Sequence, residues 1–355
     1  MSKKLSEKRF INHEFKEAAA GLRRMAKNGN PRGIYCLGQM LIHEFMFTEN
    51  VKQREEGLRI LADGLIAGDP LCLIAYARYD VGLHGNELTS AKRAKLAAKA
   101  QEMVKDDNTL PSVIKMAEGG DVLAMTEWAA CLLYGTGTEK DAEESLSWLH
   151  RAASQDYWLA RLRLLQTERL KEDRESRRDV FNQANHLALM GVPDGEFYLG
   201  ECYEAGWGTE PAWNKAVHHY ERAYSLGNPA AAMRLANGYL RDTGNEESEA
   251  KAMEWLRLAD EKGNGEASYR LGKVYASRGE KEKTWAAVSR ACLRNYPAGV
   301  FAAGFLQMAG CGTKQDEKQG MIKIRLAAQM GYIPAQMYLK NPENMAERLI
   351  HDWNV

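Results

Sequence analysis

The feature that most constrains this chain is a repeat. The stretch Gly191 to Tyr203 aligns with Gly227 to Tyr239 and again with Gly263 to Tyr275, which sets a period of 36 residues twice over. A period of that size marks one supersecondary unit that cannot bury its apolar face alone and must stack on copies of itself. Extended along the chain, unit starts fall at Gly29, Gly68, Gly120, Asp156, Gly191, Gly227, Gly263, Asn295 and Gly331, with most intervals between 32 and 39 residues. The step from Gly68 to Gly120 is 52 residues, so the second unit carries an insertion.

Within a unit the apolar residues recur at helical spacing twice, as at Leu199 and Tyr203, then Ala216, Tyr220 and Ala223. Each unit is therefore expected to be a helix-turn-helix, and the fold all-α. Pro31, Pro70, Pro193, Pro229 and Pro297 stand two residues after a unit start, where the first helical turn tolerates proline. The glycines at unit starts suit the left-handed cap that ends a preceding helix. Gly38, Gly200, Gly272 and Gly304 fall mid-helix instead, with Ala129 and Ala236 at the same position. Glycine costs about 1 kcal/mol there relative to alanine, so a second helix is expected to cross closely. Glu201, beside Gly200, is expected to be exposed.

The array is expected to run over 29–340 in about eight units, after an opening cap at 1–28 and before a closing cap at 341–355 with a helix over Pro342 to Trp353. Residues 83–118 fit no unit; Leu88 to Val104 reads as a long helix and Pro111 to Glu118 as a short one.

Composition narrows the function. Forty-eight Lys and Arg balance forty-eight Asp and Glu, so no excess charge favours nucleic acid or an anionic membrane. The first residues lead into Glu14, Lys16 and Glu17 rather than an apolar stretch, so no secretory signal is expected, and the longest apolar run, Leu71 to Ala77, is far below the roughly 20 residues of a membrane span. Cys36, Cys72, Cys131, Cys202, Cys292 and Cys311 form no CxxC pair and read as reduced, buried side chains in a cytoplasmic protein.

Few residues invite a catalytic or metal reading. The Gly-Thr-Gly turn at Gly135 and Gly137, and its counterparts at Gly206 and Gly208 and at Gly310 and Gly312, look like phosphate loops but sit between two helices, without the preceding strand or the Lys-Ser/Thr such a loop requires. The histidines, His13, His43, His84, His150, His186, His218, His219 and His351, include no His-Glu-x-x-His pair and read as surface or packing residues. No serine or cysteine stands in a hydrolase signature. Arg161 to Arg178, interleaved with Glu168, Glu172, Asp173 and Glu175, reads as a solvated helical face. Lys92, Arg93, Lys95 and Lys99 are more one-sided and fit an acidic partner. No cofactor and no metal is implied.

The pattern of Leu199-Gly200, Tyr203, Gly206, Gly208, Ala216, Ala223 and Gly227, with Gly135, Gly137, Asp141, Trp148, Ala152 and Ala153 in weaker form, resembles the Sel-one-like repeat, a relative of the tetratricopeptide repeat. The match is best for units from 120, 191, 227, 263 and 295, weaker at 29 and poor at 68 and 156. The resemblance implies a right-handed α/α superhelical solenoid and a non-catalytic scaffold or adaptor that binds a protein or peptide on its concave face. It also implies a narrower alternative, a bacterial immunity protein or antitoxin neutralising one effector. A different class, an enzyme whose site is assembled from separated repeats, stays open. Neither nucleic acid, membrane nor self-association is implied. By analogy with tetratricopeptide arrays, the sixth position after each unit start faces inward, which nominates Tyr35, Thr126, Phe197, Met233, Tyr269 and Phe301 as a protein-binding row.

Overall fold

The computed structural model describes residues 2–48, 51–79, 91–105, 108–242, 244–342, 349–351 and 353. Among them every regular element is a helix, and none is long and apolar enough to cross a membrane. The chain divides into two compact units, Met1–Asn228 and Pro229–Val355.

In the first unit the repeat's leading helices are Pro31–Thr48, Pro70–Tyr79, Val122–Tyr134, Trp158–Glu168 and Pro193–Ala205, and the helices that follow them include Val51–Ile66, Ala142–Ala153, Arg174–Leu189 and Trp213–Ser225. Local chemistry sets their ends. Asp121 accepts from the Leu123 and Ala124 amides at 3.0 and 3.1 Å, Asp141 from Glu144 at 2.9 Å and Asp173 from Ser176 at 2.8 Å, so at these three starts an acid caps free N–H groups. The insertion supplies one extra helix, Ala91–Val104, before Thr109–Glu118 leads into the next unit start. The expected helix start at Leu88 lies outside the described residues, as do the side chains of Lys92, Arg93 and Lys95 and residue His84.

In the second unit the leading helices Ala230–Tyr239, Gly265–Ser277, Pro297–Ala309 and Ile333–Lys340 alternate with Glu246–Glu261, Lys281–Leu293 and Glu317–Gln329. Of the closing cap expected over Pro342 to Trp353, residues 343–348 and 352 lie outside the described residues.

All nine unit starts have left-handed backbone: the seven glycines run from φ +68° at Gly29 to +105° at Gly227, and the two others, Asp156 and Asn295, stand at +59° and +55°. Asp and Asn are the residues that tolerate this region best after glycine. The mid-helix glycines mark close crossings as expected: a Cβ on Gly200 would lie 2.7 Å from the buried Tyr220 ring, one on Gly272 2.6 Å from Val288, and one on Gly304 2.7 Å from the Gly320 carbonyl oxygen.

A second row, four residues after the unit start, has the same property against the preceding helix. A Cβ on Gly195 would stand 2.5 Å from the Leu187 carbonyl carbon, and Gly33 and Gly299 press as tightly on Met25 and Ala291. The leading helices that carry both glycines, Pro31–Thr48, Pro193–Ala205 and Pro297–Ala309, are thus pinched between two neighbours.

Two exposure expectations fail. Glu201 is buried, at 6% exposure, because Arg169 reaches it at 3.3 Å. Arg163 and Glu168, read as part of a solvated face, are also buried, Arg163 because a buried carboxylate lies opposite it.

Candidate functional site

In the first unit, four leading helices converge on one carboxylate. Glu127, wholly buried, accepts from the Tyr35 hydroxyl at 2.6 Å and from Gln39 Nε2 at 3.3 Å, pairs with Arg78 through both guanidinium nitrogens, and meets Arg163 Nη2 at 3.4 Å. Arg163 Nη1 also donates to the Thr126 carbonyl at 2.7 Å. Burial by itself pushes the Glu127 carboxyl up, yet the two guanidinium groups and the Tyr35 hydroxyl hold it below its ordinary range. With no exposure to solvent and five donated bonds, four on Oε1 and one on Oε2, the carboxylate is committed to its own helices rather than open to a substrate. It is a pin that fixes four helices against one another.

Beside it lies an aromatic cluster. Trp158 is fully buried, with Phe15 at 5.4 Å, His13 at 5.2 Å, His43 at 4.8 Å and Phe10 at 6.3 Å around its ring. The helix Lys3–Ile11, expected only to cap the first repeat, brings Phe10 onto residues nearly 150 positions away. His13 and His43 thus pack, while His219 bonds Glu196 at 2.8 Å and stacks on Tyr203.

This packing decides the fate of the expected row. Tyr35 and Thr126 are wholly buried, Tyr35 on Glu127 and Thr126 through its hydroxyl on the Val122 carbonyl at 2.8 Å. Met233 and Phe301 are also buried, Phe301 between Tyr332 and Tyr338. They offer no exposed anchor, because side chains from neighbouring helices already cover them. Phe197 and Tyr269 alone of the six remain half-buried.

Around Phe197 the helices Trp158–Glu168 and Pro193–Ala205 present a partly open face. Tyr198 lies 5.5 Å from Phe197, edge to face, and the Arg169 guanidinium stands 5.2 Å from the Tyr198 ring. Gln166 Nε2 reaches the Tyr198 hydroxyl at 3.5 Å. Tyr198 and Arg169 were missed from sequence; their only signal was position, one residue after the chosen row and one residue past a helix end.

Asp194, on the first turn of the same helix, is buried, with one carboxylate oxygen held by Asn228 at 3.3 Å and the other, Oδ2, without a partner. Burial pushes its pKa up to about 7. In the folded chain Asp194 keeps its proton where the unfolded chain has lost it, so its contribution to stability is full below about pH 4 and is lost as the pH rises to about 7. Asp194→Asn is therefore expected to stabilise the chain by about 4 kcal/mol more at pH 8 than at pH 4. Thermal melts of both proteins at the two pH values check this, and an equal gain at both would contradict it.

The glycine turns are structural. The Gly135 and Thr136 amides both donate to the Cys131 carbonyl, at 2.8 and 3.0 Å, and Trp207 and Cys311 close the equivalent turns on Cys202 and Leu306. Those N–H groups end helices and are not aimed at a phosphate. The six cysteines are free and five are buried, with burial pushing the Cys131 and Cys202 thiols up to about 12.

Three segments, residues 122–157, 193–228 and 229–264, match the family model described as Sel1 repeat. Each opens two residues after a unit start at Gly120, Gly191 or Gly227. The units from 263 and 295, expected to match as well, lie outside the matched segments. A curated relative, an uncharacterized protein of Neisseria meningitidis serogroup B, is 24% identical over 341 residues, which is 94% of this chain and 65% of the relative; the chain spans about two thirds of that protein's length. Among solved structures, a Sel1 repeat protein from Oxalobacter formigenes is 20% identical with a TM-score of 0.57, covering 91% of this chain and 89% of that one. A protective antigen of uropathogenic Escherichia coli strains, displaying an SLR fold, is 19% identical with a TM-score of 0.52 over 99% of this chain and 92% of its own. The chain carries Sel1 repeats and has the all-helical repeat fold of a solenoid protein.

Proposed function

We infer that this chain is a non-catalytic interaction module that binds another protein or a peptide. The observation that carries the reading is the pair Phe197 and Tyr198, with the Arg169 guanidinium over the Tyr198 ring, which stays half-buried while Tyr35 and Thr126 in the same unit are wholly buried. Aromatic and arginine side chains held by their neighbours dominate binding energy at protein interfaces, since they bury large area at small entropic cost. The buried carboxylate at Glu127 is spent on packing rather than on chemistry. Free, buried thiols fit the cytoplasm as the working compartment.

The test is affinity capture from native lysate with the wild-type chain and with a Phe197→Ala, Arg169→Ala double variant. The wild type is expected to retain a protein at near-stoichiometric yield, and the variant to lose it at least tenfold, as removal of about 2 kcal/mol of anchor energy implies. A variant with an unchanged melting curve and undiminished recovery contradicts the reading. The identity of what is retained, an effector to be neutralised included, sets the class of partner.

A further inference from the structure

In the unit Pro229–Val355, one face of the helix Gly265–Ser277 carries Tyr269 and Lys273, four residues apart. That face is occupied by the chain itself. Trp353 is 3% exposed; its ring stands edge-on to Tyr269 at 5.6 Å, and the Lys273 ammonium lies 4.9 Å from its centroid. Tyr269 is braced on its other flank by Tyr296 at 5.7 Å. Leu349, four residues before Trp353, is also buried, and both belong to one apolar cluster with Phe301, Phe305 and Tyr338.

Trp353 thus sits directly on the helix Gly265–Ser277, and the apolar cluster it belongs to continues through Pro297–Ala309 and Ile333–Lys340. A helix that only closed the end of an array would need to cover the last repeat alone. Trp353 instead reaches back two repeats, onto the sixth and tenth positions of the unit that starts at Gly263. Two apolar anchors four residues apart, one of them a tryptophan under a cation, form the pattern by which an amphipathic helix seats in a groove.

We propose that this face is a receptor for a short segment anchored by a tryptophan with an aliphatic residue four positions before it, and that Leu349 and Trp353 of the chain are its built-in occupants. A partner segment bearing the same pair gains the site by displacing Trp353. The proposal rests on the interaction-module reading but concerns a different face, so either can fail without the other.

The probe is a fluorescent synthetic peptide of residues 342–355, titrated by anisotropy into the full chain. Tethering gives the resident tail an effective concentration of about millimolar, so wild type is expected to bind the peptide at least about tenfold more weakly than a Trp353→Ala chain. A Trp353→Ala, Lys273→Glu chain, or a peptide with Trp353→Ala, is expected to lose that gain. Equal binding by wild type and a folded Trp353→Ala chain, or none by either, overturns the proposal. Should Trp353→Ala unfold the chain, 5-fluorotryptophan placed at 353 in the wild-type sequence gives the same answer. Excess unlabelled peptide is expected to move its resonance to the solvent-exposed position, and a resonance that stays put at millimolar peptide overturns the proposal.

Discussion

Glu127→Ala is expected to lower stability by about 3–5 kcal/mol, because it strips two buried guanidinium groups of the carboxylate they share and leaves the Tyr35 hydroxyl facing a void. The loss exceeds anything a surface pair gives. Arg32 supplies the comparison: it bridges Glu7 and Asp121 at 2.6 Å each, but its side chain is 28% exposed, and Arg32→Ala is expected to cost about 1 kcal/mol or less. Urea unfolding followed by tryptophan fluorescence separates the two. Equal losses would mean that the four helices meeting at Glu127 are held by apolar packing alone.

Gly195→Leu is expected to destabilise by more than about 3 kcal/mol, at the upper end of what overpacking does in a closed interior. The atoms in the way are backbone and Cβ of Leu187 and Ala188 on the helix Arg174–Leu189, which cannot rotate aside as a flexible side chain would. Ala205→Leu is the control, since Ala205 ends the same helix and is exposed. Its melting temperature is expected to match wild type. A Gly195→Leu chain that melts with it would show that the helices do not approach as closely as the structure has them.

Gly195 also marks the limit of what the sequence disclosed. The row of Gly38, Gly200, Gly272 and Gly304, nine residues after their unit starts, was legible, since a helix-interior glycine is costly and its recurrence asks for a reason. The row four residues after the start was not, because it mixes Gly33, Gly195 and Gly299 with Cys72, Ala124, Ala160, Ala231 and Ala267, which any helix accommodates. The unit starts themselves were legible down to Asp156 and Asn295, whose left-handed backbone follows from the phase alone.

Long-range chemistry was hidden for a different reason. Arg78, Glu127 and Arg163 stand 49 and 36 residues apart, and nothing in a period of 36 says that their side chains meet rather than line a groove. Arg163 in particular sits in a stretch of alternating charge that ordinarily means solvent. The inward row failed at Tyr35 and Thr126 on the same account, since facing a neighbouring helix and facing a ligand have one periodicity. Phe197 stays half-buried against Tyr198 and Tyr220, and Tyr269 is met from outside the repeat by Trp353, neither of which the period discloses. Trp353 was legible only as the end of an expected closing cap, with nothing in the spacing to say that its ring meets Tyr269.

The claim that the Phe197 face binds a protein is tested most directly by a photo-crosslinking residue, p-benzoylphenylalanine, placed at Phe197 in the full chain and irradiated in native lysate. The control carries it at Leu226, 41% exposed in the same unit, at the end of the helix Trp213–Ser225. A discrete protein adduct from position 197 and none from position 226 is the predicted result; no adduct at 197, or the same adducts from both positions, would contradict it.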